Sequence, residues 1–284
     1  MLEKLSTLLL QADPNIQLTI LEIGASQIEG KAEPFYNLLS LLPGSKVIGF
    51  EVDDAVCEQM NAKAETGAQF YPVALGRRSE RRTFYATEHA MCCSLYKPNE
   101  SLISLYNNLE VAYLKRECEI DTLSLDEFTE IHCIGSIDFI KIDIQGAELD
   151  VFMGGTKTLR DTLAIVCEVE FIPHYVDQPL FGDVCNFLLQ NDLMFHKFLG
   201  LCGRALKPIV FNNDGNAPSQ HIWSDAMFIH HVQQIHELTD SQLLKLSLLA
   251  AVYGSYDLTY YCLEKYDNRK DTLLATNFLL LAEA

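Results

Sequence analysis

The chain has 284 residues, of which 49% are hydrophobic and 21% are charged, and its formal net charge is −18. This length and apolar fraction suit one large hydrophobic core, or a core domain with an appendage, and they exclude wholesale disorder. The acidic balance argues against a nucleic-acid partner, because such a protein needs a basic face to displace counterions from the phosphates.

Cysteine usage and hydropathy bear on the cellular compartment. The nine cysteines are scattered and form no CxxC pair, so the spacing of a zinc finger is missing. No apolar run approaches the ~20 residues that span a bilayer, and the first ten residues lack a basic segment followed by an apolar core. We therefore expect free thiols, a cytoplasmic location and no membrane span.

The first half of the chain alternates between strand and helix patterns. Apolar runs rich in strand formers predict strands at 18–23, 46–52 and 68–75, and helical spacing predicts helices at 33–42 and 53–65. Strands that alternate with helices predict parallel pairing in a layered α/β sheet. The next part is less regular: we expect a strand within 77–87, weak helical structure over 98–117, and a helix capped near Ser124.

The α/β pattern then resumes. Strands are predicted at 137–143, 163–170, 193–199 and 221–231, and helices at 147–160 and 181–192. Because no long helix separates the last two strands, we expect an antiparallel hairpin at one edge of the sheet. From about residue 238 the chain is helical throughout, so we divide it into a main domain, 1–232, and a helical extension, 233–284.

Ligands of open α/β sheets bind beyond the carboxyl ends of the strands, where the strand order reverses. In this sequence most of the predicted strand ends carry or adjoin an acid. Glu51 lies 27 residues after Gly24, where a carboxylate can accept hydrogen bonds from the hydroxyls of an adenosine ribose; the alternative is an acid that merely starts a helix. The loop from Gly24 to Gly30 lacks the G-x-G-x-x-G that binds a pyrophosphate, which disfavours a nicotinamide cofactor.

Several segments in order resemble the FkbM-type S-adenosylmethionine-dependent methyltransferases over roughly residues 18 to 231. They are "LEIGAS", "GFEVDD", "YPVALG", "TLSLDEF", "IDFIKIDIQGAELDVFMGG", "CEVEFIPHY" and "SDAMFIHH". The resemblance implies a Rossmann-like, doubly wound, seven-stranded sheet of the class I methyltransferase type, with an antiparallel edge hairpin; the helical extension lies outside it. The implied reaction is methyl transfer from S-adenosylmethionine, usually to an oxygen of a sugar or a glycosylated metabolite.

The resemblance also implies which residues form the site. Those assigned to the cofactor are Glu22, Gly24, Ala25, Ser26, Glu51, Val52, Ala74 and Asp143. Ser94 and Tyr175 are assigned to the acceptor substrate.

A hydroxyl acceptor must lose its proton, either to a general base or with the help of a divalent cation. The catalytic candidates are Asp143, Glu148, Glu170 and His174. Glu148 could instead stabilise the start of its helix, and His174 could be an ordinary exposed loop residue. We assign no metal ligands, and a divalent cation stays an open alternative.

Two other functions compete with methyl transfer at this stage. One is a nicotinamide-dependent oxidoreductase, against which the missing glycine loop counts. The other is a catalytically inactive fold whose helical extension docks a partner. The extension could also form the interface of a homo-oligomer.

Overall fold

The computed structural model describes residues 1–25, 33–217 and 220–282. Its strands are β1 (Thr19–Ile23), β2 (Lys46–Phe50), β3 (Ala68–Tyr71), β4 (Ala74–Gly76), β5 (Glu80–Thr87), β6 (Leu114–Ser124), β7 (Phe139–Ile142), β8 (Ala164–Glu170), β9 (Leu193–Phe198), β10 (Cys202–Gly203) and β11 (His221–His230).

The α-helices are α1 (Leu2–Ala12), α2 (Asn37–Leu41), α3 (Asp54–Lys63), α4 (Glu100–Ile103), α5 (Leu125–Ile131), α6 (Glu148–Met153), α7 (Phe181–Leu189), α8 (Asp240–Val252), α9 (Tyr256–Lys270) and α10 (Leu274–Ala282). Short 3₁₀ turns lie at Pro34–Tyr36, Ala90–Cys92, Glu110–Ala112, Thr158–Asp161 and Val232–Glu237.

The main sheet has the order β3-β2-β1-β7-β8-β11, and β9 and β10 both pair with the outer edge of β11. Pairing is parallel from β3 to β8 and antiparallel at β11. The sheet therefore has the seven positions that we expected, and the two-residue β10 is an additional strand along the last of them. The predicted α/β fold and its antiparallel edge hairpin are confirmed. Strand order reverses between β1 and β7, which places a ligand cleft at their carboxyl ends.

A second, three-stranded sheet was not predicted. The expected strand 68–75 breaks after Tyr71, and its last part joins the sheet β4-β6-β5. The helix expected over 98–117 is also wrong, because α4 has four residues and β6 begins at Leu114. Most side chains of β6 are exposed or half-buried, so its sequence lacks the apolar alternation that indicates a strand.

The helix expected over 147–160 ends at Met153, followed by Gly154 and then by a separate 3₁₀ turn at Thr158–Asp161. A Cβ added to Gly154 would lie 2.5 Å from the carbonyl oxygen of Gly76 in β4. The end of α6 is thus pressed against the backbone of the second sheet, which only a glycine allows.

Each face of the main sheet has its own hydrophobic core, because neighbouring side chains of a strand point to opposite faces. On one face Ile20 and Phe139 pack with α1 and with Leu244 and Leu248 of α8. On the other face Leu21 packs in the cluster that includes α5 and α6. The C-terminal helices thus share a core with the sheet, while the domain boundary near residue 232 stays a prediction.

Polar contacts strengthen the junction between α8 and the sheet. Thr239 caps α8 through a capping box with Gln242. The Lys245 ammonium bonds both oxygens of the buried Asp138, at 2.8 and 3.0 Å, and Asp138 in turn accepts a hydrogen bond of 2.8 Å from the backbone N–H of Thr19. In the described part of the chain, no helix is long and apolar enough to cross a membrane.

Substitution of Leu244 tests whether the extension folds as one unit with the sheet. We expect Leu244→Ala to lower the free energy of unfolding by about 2–5 kcal/mol, because it opens a cavity in the shared core. Urea unfolding followed by fluorescence and circular dichroism measures this. Leu280→Ala, at a residue of α10 that is 62% exposed, is the matched control and should change stability by less than about 0.5 kcal/mol. Equal effects of the two substitutions would contradict a shared core.

Candidate active site

A cavity of about 540 Å³ opens at the carboxyl ends of β1, β2 and β7, and the second sheet forms its far wall. This volume is typical of a small-molecule site. Six of the residues that the sequence assigned to the site line it: Gly24, Glu51, Val52, Ala74, Ser94 and Asp143. Glu22, Ala25, Glu148, Glu170, His174 and Tyr175 are not among the lining residues, and Ser26 lies outside the described residues.

Gly24 brings the loops after β1 and β7 together. Its φ is +82°, and a Cβ at this position would lie 1.9 Å from the carbonyl oxygen of Asp143. The backbone N–H groups of Gly24 and Ala25 both donate to the carbonyl of Phe50, at 3.2 and 3.0 Å. The Ala25 side chain is buried against Phe70 beneath the cavity. The glycine is therefore required by the close approach of the backbone after β7, and its conformation sets the shape of the turn that lines the cavity.

Glu51 lies at the end of β2 with its carboxylate beside the cavity. Its Oε1 accepts a hydrogen bond of 2.9 Å from the backbone N–H of Asp53. The role of helix cap belongs to Asp53, whose Oδ1 accepts from Ala55 and Val56 at the start of α3. Among the described residues, Oε2 of Glu51 accepts no hydrogen bond, so one oxygen of this carboxylate is left for a ligand.

Gln145 holds the floor of the site together. Its Nε2 donates to Asp143 Oδ1 at 2.9 Å and to Glu168 Oε2 at 2.5 Å. Its Oε1 lies 3.0 Å from the Tyr175 hydroxyl, and its backbone carbonyl accepts a hydrogen bond of 2.6 Å from Ser94. Sequence reasoning did not assign Gln145 to the site. The available signal was a polar residue between Asp143 and Gly146 at a strand end.

Glu168 and Asp143 form a pair of interacting carboxyl groups. Burial raises the pKa of Glu168 well above its usual range, and the negative charge of Asp143 adds to the shift. The Gln145 amide bridges the two carboxyl groups, and burial together with the charge of Asp143 favours the neutral form of Glu168. Asp143 lines the cavity.

Glu148 and Glu170 are buried behind the cavity wall. Oε1 of Glu148 accepts hydrogen bonds from the backbone N–H groups of Ile144, at 2.9 Å, and Gly146, at 3.3 Å. Burial raises the pKa of Glu148 to about 7, and burial followed by the charge of Glu148 raises that of Glu170 well above its usual range. Glu148 thus fastens the turn that carries Asp143, and the two acids do not reach the cavity.

Tyr175 and His174 lie next to the floor of the site. The Tyr175 hydroxyl is 2.9 Å from the carbonyl oxygen of Cys92 as well as 3.0 Å from Gln145 Oε1. Burial lowers the pKa of His174 to about 4, with a smaller contribution from Arg204, so its imidazole is neutral at physiological pH. Both side chains are within the protein rather than at the cavity surface.

Comparison with known proteins gives the family. The methyltransferase FkbM domain matches residues 22–195. The chain belongs to the FkbM methyltransferase family. The match spans the strands from β1 to the start of β9, so it contains every candidate site residue and leaves α1 and α8 to α10 outside. The family assignment favours methyl transfer over the oxidoreductase alternative.

Three individual proteins are similar to this chain, one in sequence and two in structure. The 2-O-methyltransferase NoeI of Sinorhizobium fredii (strain NBRC 101917 / NGR234) is 28% identical over 185 residues, which is 62% of this chain and 68% of that protein. Two solved structures of proposed methyltransferases are 10% identical. The one from Thermoplasma acidophilum has a TM-score of 0.34 and covers 76% of this chain and 69% of that one. The one from Thermobifida fusca has a TM-score of 0.35 and covers 81% and 79%. At these TM-scores the two structures support no conclusion about fold or function.

Glu22 is the fourth of the five residues of β1 and does not line the cavity. Its Oε2 accepts a hydrogen bond of 2.5 Å from the Tyr36 hydroxyl, and burial raises its pKa to about 7. Lys141, its partner across the strands, forms a 2.7 Å ion pair with Asp225. In the part of the chain that the structure describes, no group of three or more His, Cys, Asp or Glu side chains is arranged to hold a metal ion.

The raised pKa of Glu22 predicts a pH dependence of stability. Glu22 is protonated in both states below its unfolded pKa of 4.5, and the stability it contributes is lost as the pH rises through about 7. We expect Glu22→Gln to remove a pH-dependent loss on the order of 3 kcal/mol between pH 5 and pH 8. Urea unfolding of both proteins at the two pH values measures the difference.

Glu58→Gln, at an exposed residue of α3, is the control for the change in net charge. If wild type and Glu22→Gln lose the same free energy of unfolding between pH 5 and pH 8, the assignment of a buried proton to Glu22 is wrong.

Proposed function

We propose that this methyltransferase uses S-adenosylmethionine to methylate a hydroxyl oxygen of a saccharide or a glycosylated metabolite. The observation that carries the proposal is one cavity with the Glu51 carboxylate at the end of β2 and the Asp143 carboxylate at the end of β7. The name of the relative NoeI, a 2-O-methyltransferase, supports oxygen as the methyl acceptor.

The lining of the cavity suits a nucleoside without phosphates. The free oxygen of Glu51 can accept hydrogen bonds from ribose hydroxyls. Val52, Ala74 and Leu75 offer apolar contact to a flat base, and Gly24 lets a ligand approach the backbone closely. S-adenosylmethionine carries the methyl group on a positively charged sulfur. The sulfur leaves easily because it becomes a neutral thioether when the methyl group is transferred.

We expect Glu51→Ala to weaken S-adenosylmethionine binding by at least tenfold, because a charge-assisted hydrogen bond contributes about 1.5–3 kcal/mol. Titration calorimetry measures the dissociation constant. Asp54→Ala, three residues away in the first turn of α3 and not among the lining residues, is the matched control. Unchanged affinity in the Glu51 variant, or an equal loss in both, would remove Glu51 from the cofactor site.

Asp143 is our proposed proton acceptor. It lines the cavity, and the amide of Gln145 fixes the direction of its carboxylate by bonding both Asp143 and Glu168. His174 stays the second candidate, since its neutral imidazole can accept a proton, but it is not among the lining residues. A divalent cation would be a third route to proton removal. The described residues contain no group of three or more His, Cys, Asp or Glu side chains that could hold one.

Turnover separates the two candidate bases. We expect Asp143→Asn to lower kcat by ~10²–10⁴, the usual contribution of a general base, because the amide keeps the shape and loses the basicity. The assay follows labelled methyl groups from S-adenosylmethionine into an extract of host glycans. His174→Ala, assayed in parallel, should keep kcat within a few fold of wild type. Loss of turnover in His174→Ala with normal turnover in Asp143→Asn would transfer the role to His174.

Two further expectations from the sequence stay proposals. A cytoplasmic location is supported by the nine cysteines, all of which are free thiols. Self-association through the C-terminal helices is supported by Leu279 and Leu280 of α10, which are 45% and 62% exposed.

A further inference from the structure

Arg204 forms no ion pair with a carboxylate of the described residues, and Asp214 acts on it only as a nearby charge. Arg204 follows β10, and its guanidinium carbon is 4.7 Å from the centre of the Trp223 ring in β11. The His174 ring lies on the same tryptophan, with the two ring centres 5.8 Å apart. We call Arg204, Trp223 and His174 the arginine cluster.

Two nitrogen atoms of the arginine cluster have no hydrogen-bond partner in the described residues. They are Nε of Arg204 and Nε2 of His174, and both are buried. Arg204 Nη1 donates to the carbonyl of Gly203 at 2.8 Å, and no carboxylate of the described residues forms an ion pair with Arg204. A buried polar group without a hydrogen-bond partner destabilises a protein, and native proteins keep few of them. An unpaired guanidinium is the more unusual in a chain with a net charge of −18.

The arginine cluster is connected to the catalytic side of the cavity. Asp143 bonds Gln145, Gln145 meets the Tyr175 hydroxyl at 3.0 Å, and His174 is the residue before Tyr175. The thiol of Cys92 is influenced from both ends: burial, Cys93 and Asp143 raise its pKa to about 11, and Arg204 opposes the shift. The cluster therefore adjoins the site rather than forming an isolated surface feature.

The strand order sets the direction in which the cluster lies. From Glu51 the strands run β2, β1, β7, β8 and β11, so Asp143 on β7 stands between Glu51 and Trp223. Two strand spacings separate β7 from β11, which is about 10 Å. The cofactor proposed above occupies the side from Glu51 to Asp143. The cluster is then on the acceptor's side, at a distance that suits an oligosaccharide better than a single small molecule.

We propose that the arginine cluster binds a carboxylate of the acceptor, which makes the acceptor an acidic saccharide that contains a uronic acid or a similar sugar acid. This rests on the proposed methyl transfer to a saccharide. Nε and Nη2 share one edge of the guanidinium, and no described residue accepts a hydrogen bond from either. A planar carboxylate can take two parallel N–H···O bonds from such an edge.

The test compares an acidic probe with its neutral counterpart. The acidic probe is a set of short oligogalacturonides, and the neutral one is the same set after chemical reduction of each carboxyl to a hydroxymethyl group. Titration calorimetry on the full chain should give at least tenfold tighter binding of the acidic probe. This comparison uses wild-type protein and needs no variant to fold. Equal binding of the two probes, or binding of neither, would overturn the proposal.

Variants then locate the preference. Arg204→Gln should abolish the tenfold preference, and Arg204→Lys should restore part of it, since lysine keeps the charge without the paired donors. Lys207→Gln is the matched control: it removes one positive charge three residues along the same loop, from an ion pair with Glu110. An acid preference that persists in Arg204→Gln, or disappears equally in Lys207→Gln, contradicts the assignment.

Cofactor binding distinguishes the sources of the carboxylate. S-adenosylmethionine affinity should be the same in wild type, Arg204→Gln and Lys207→Gln. If Arg204→Gln weakens cofactor binding instead, the carboxylate at Arg204 belongs to the methionine end of the cofactor and the inference about the acceptor fails. If wild type binds no S-adenosylmethionine but still prefers the acidic probe, the proposed function fails and the acidic subsite stands.

Discussion

Five acids lie in or after the carboxyl-terminal halves of three adjacent strands, β1, β7 and β8, and the site depends on how their charges are accommodated. They are Glu22, Asp143, Glu148, Glu168 and Glu170. Burial disfavours the ionised forms of the four glutamates, and charged neighbours disfavour them further. The fold responds in three ways: backbone N–H groups bond Glu148, the Gln145 amide bonds Asp143 and Glu168, and Lys141 sits within the layer with Asp225.

The pKa values of the buried glutamates show how the remaining cost of their negative charge is lowered. Burial raises the pKa values of Glu22 and Glu148 to about 7, and it raises those of Glu168 and Glu170 well above their usual range. The acids thus divide by position. The four glutamates do not line the cavity, and one of them, Glu148, bonds the backbone of the turn from Ile144 to Gly146. Asp143 is the acid of this group that lines the cavity, so the others define where its carboxylate stands.

The sequence predicts the parts of this arrangement that are local. Alternating strands and helices, the strand-end motif around Asp143 and the position of Glu51 are all readable from short windows. What it misses depends on distant segments. Gln145 is held by contacts with residues 94, 168 and 175, and its φ of +61° has no signature in a glutamine. β6 is missed because its partner is β5 and its exposed side chains leave no apolar period.

The burial of a side chain is a second property that the spacing of residues along the sequence does not predict. His174 follows a strand in a loop, where a histidine is ordinarily solvated, yet the segment that carries Arg204 and Trp223 covers it and lowers its pKa. That covering segment lies beyond residue 195, outside the part of the chain that matches the FkbM domain. The same is true of α8, where Lys245 fastens Asp138 and, through it, the start of β1.

These two outer segments act on opposite ends of the same strands. Asp138 precedes β7, and Asp143 follows it, so α8 holds the base of the strand whose tip carries the proposed proton acceptor. The segment with Arg204 lies beside β11, two strands along the sheet from that tip. The family domain therefore provides the cavity and its acids. Residues outside the family match fix the start of β1 and β7, through Lys245, and pack against His174, through Trp223. Acceptor choice in this chain is then a property to look for outside residues 22–195, at Arg204 and Trp223, rather than in the shared motifs.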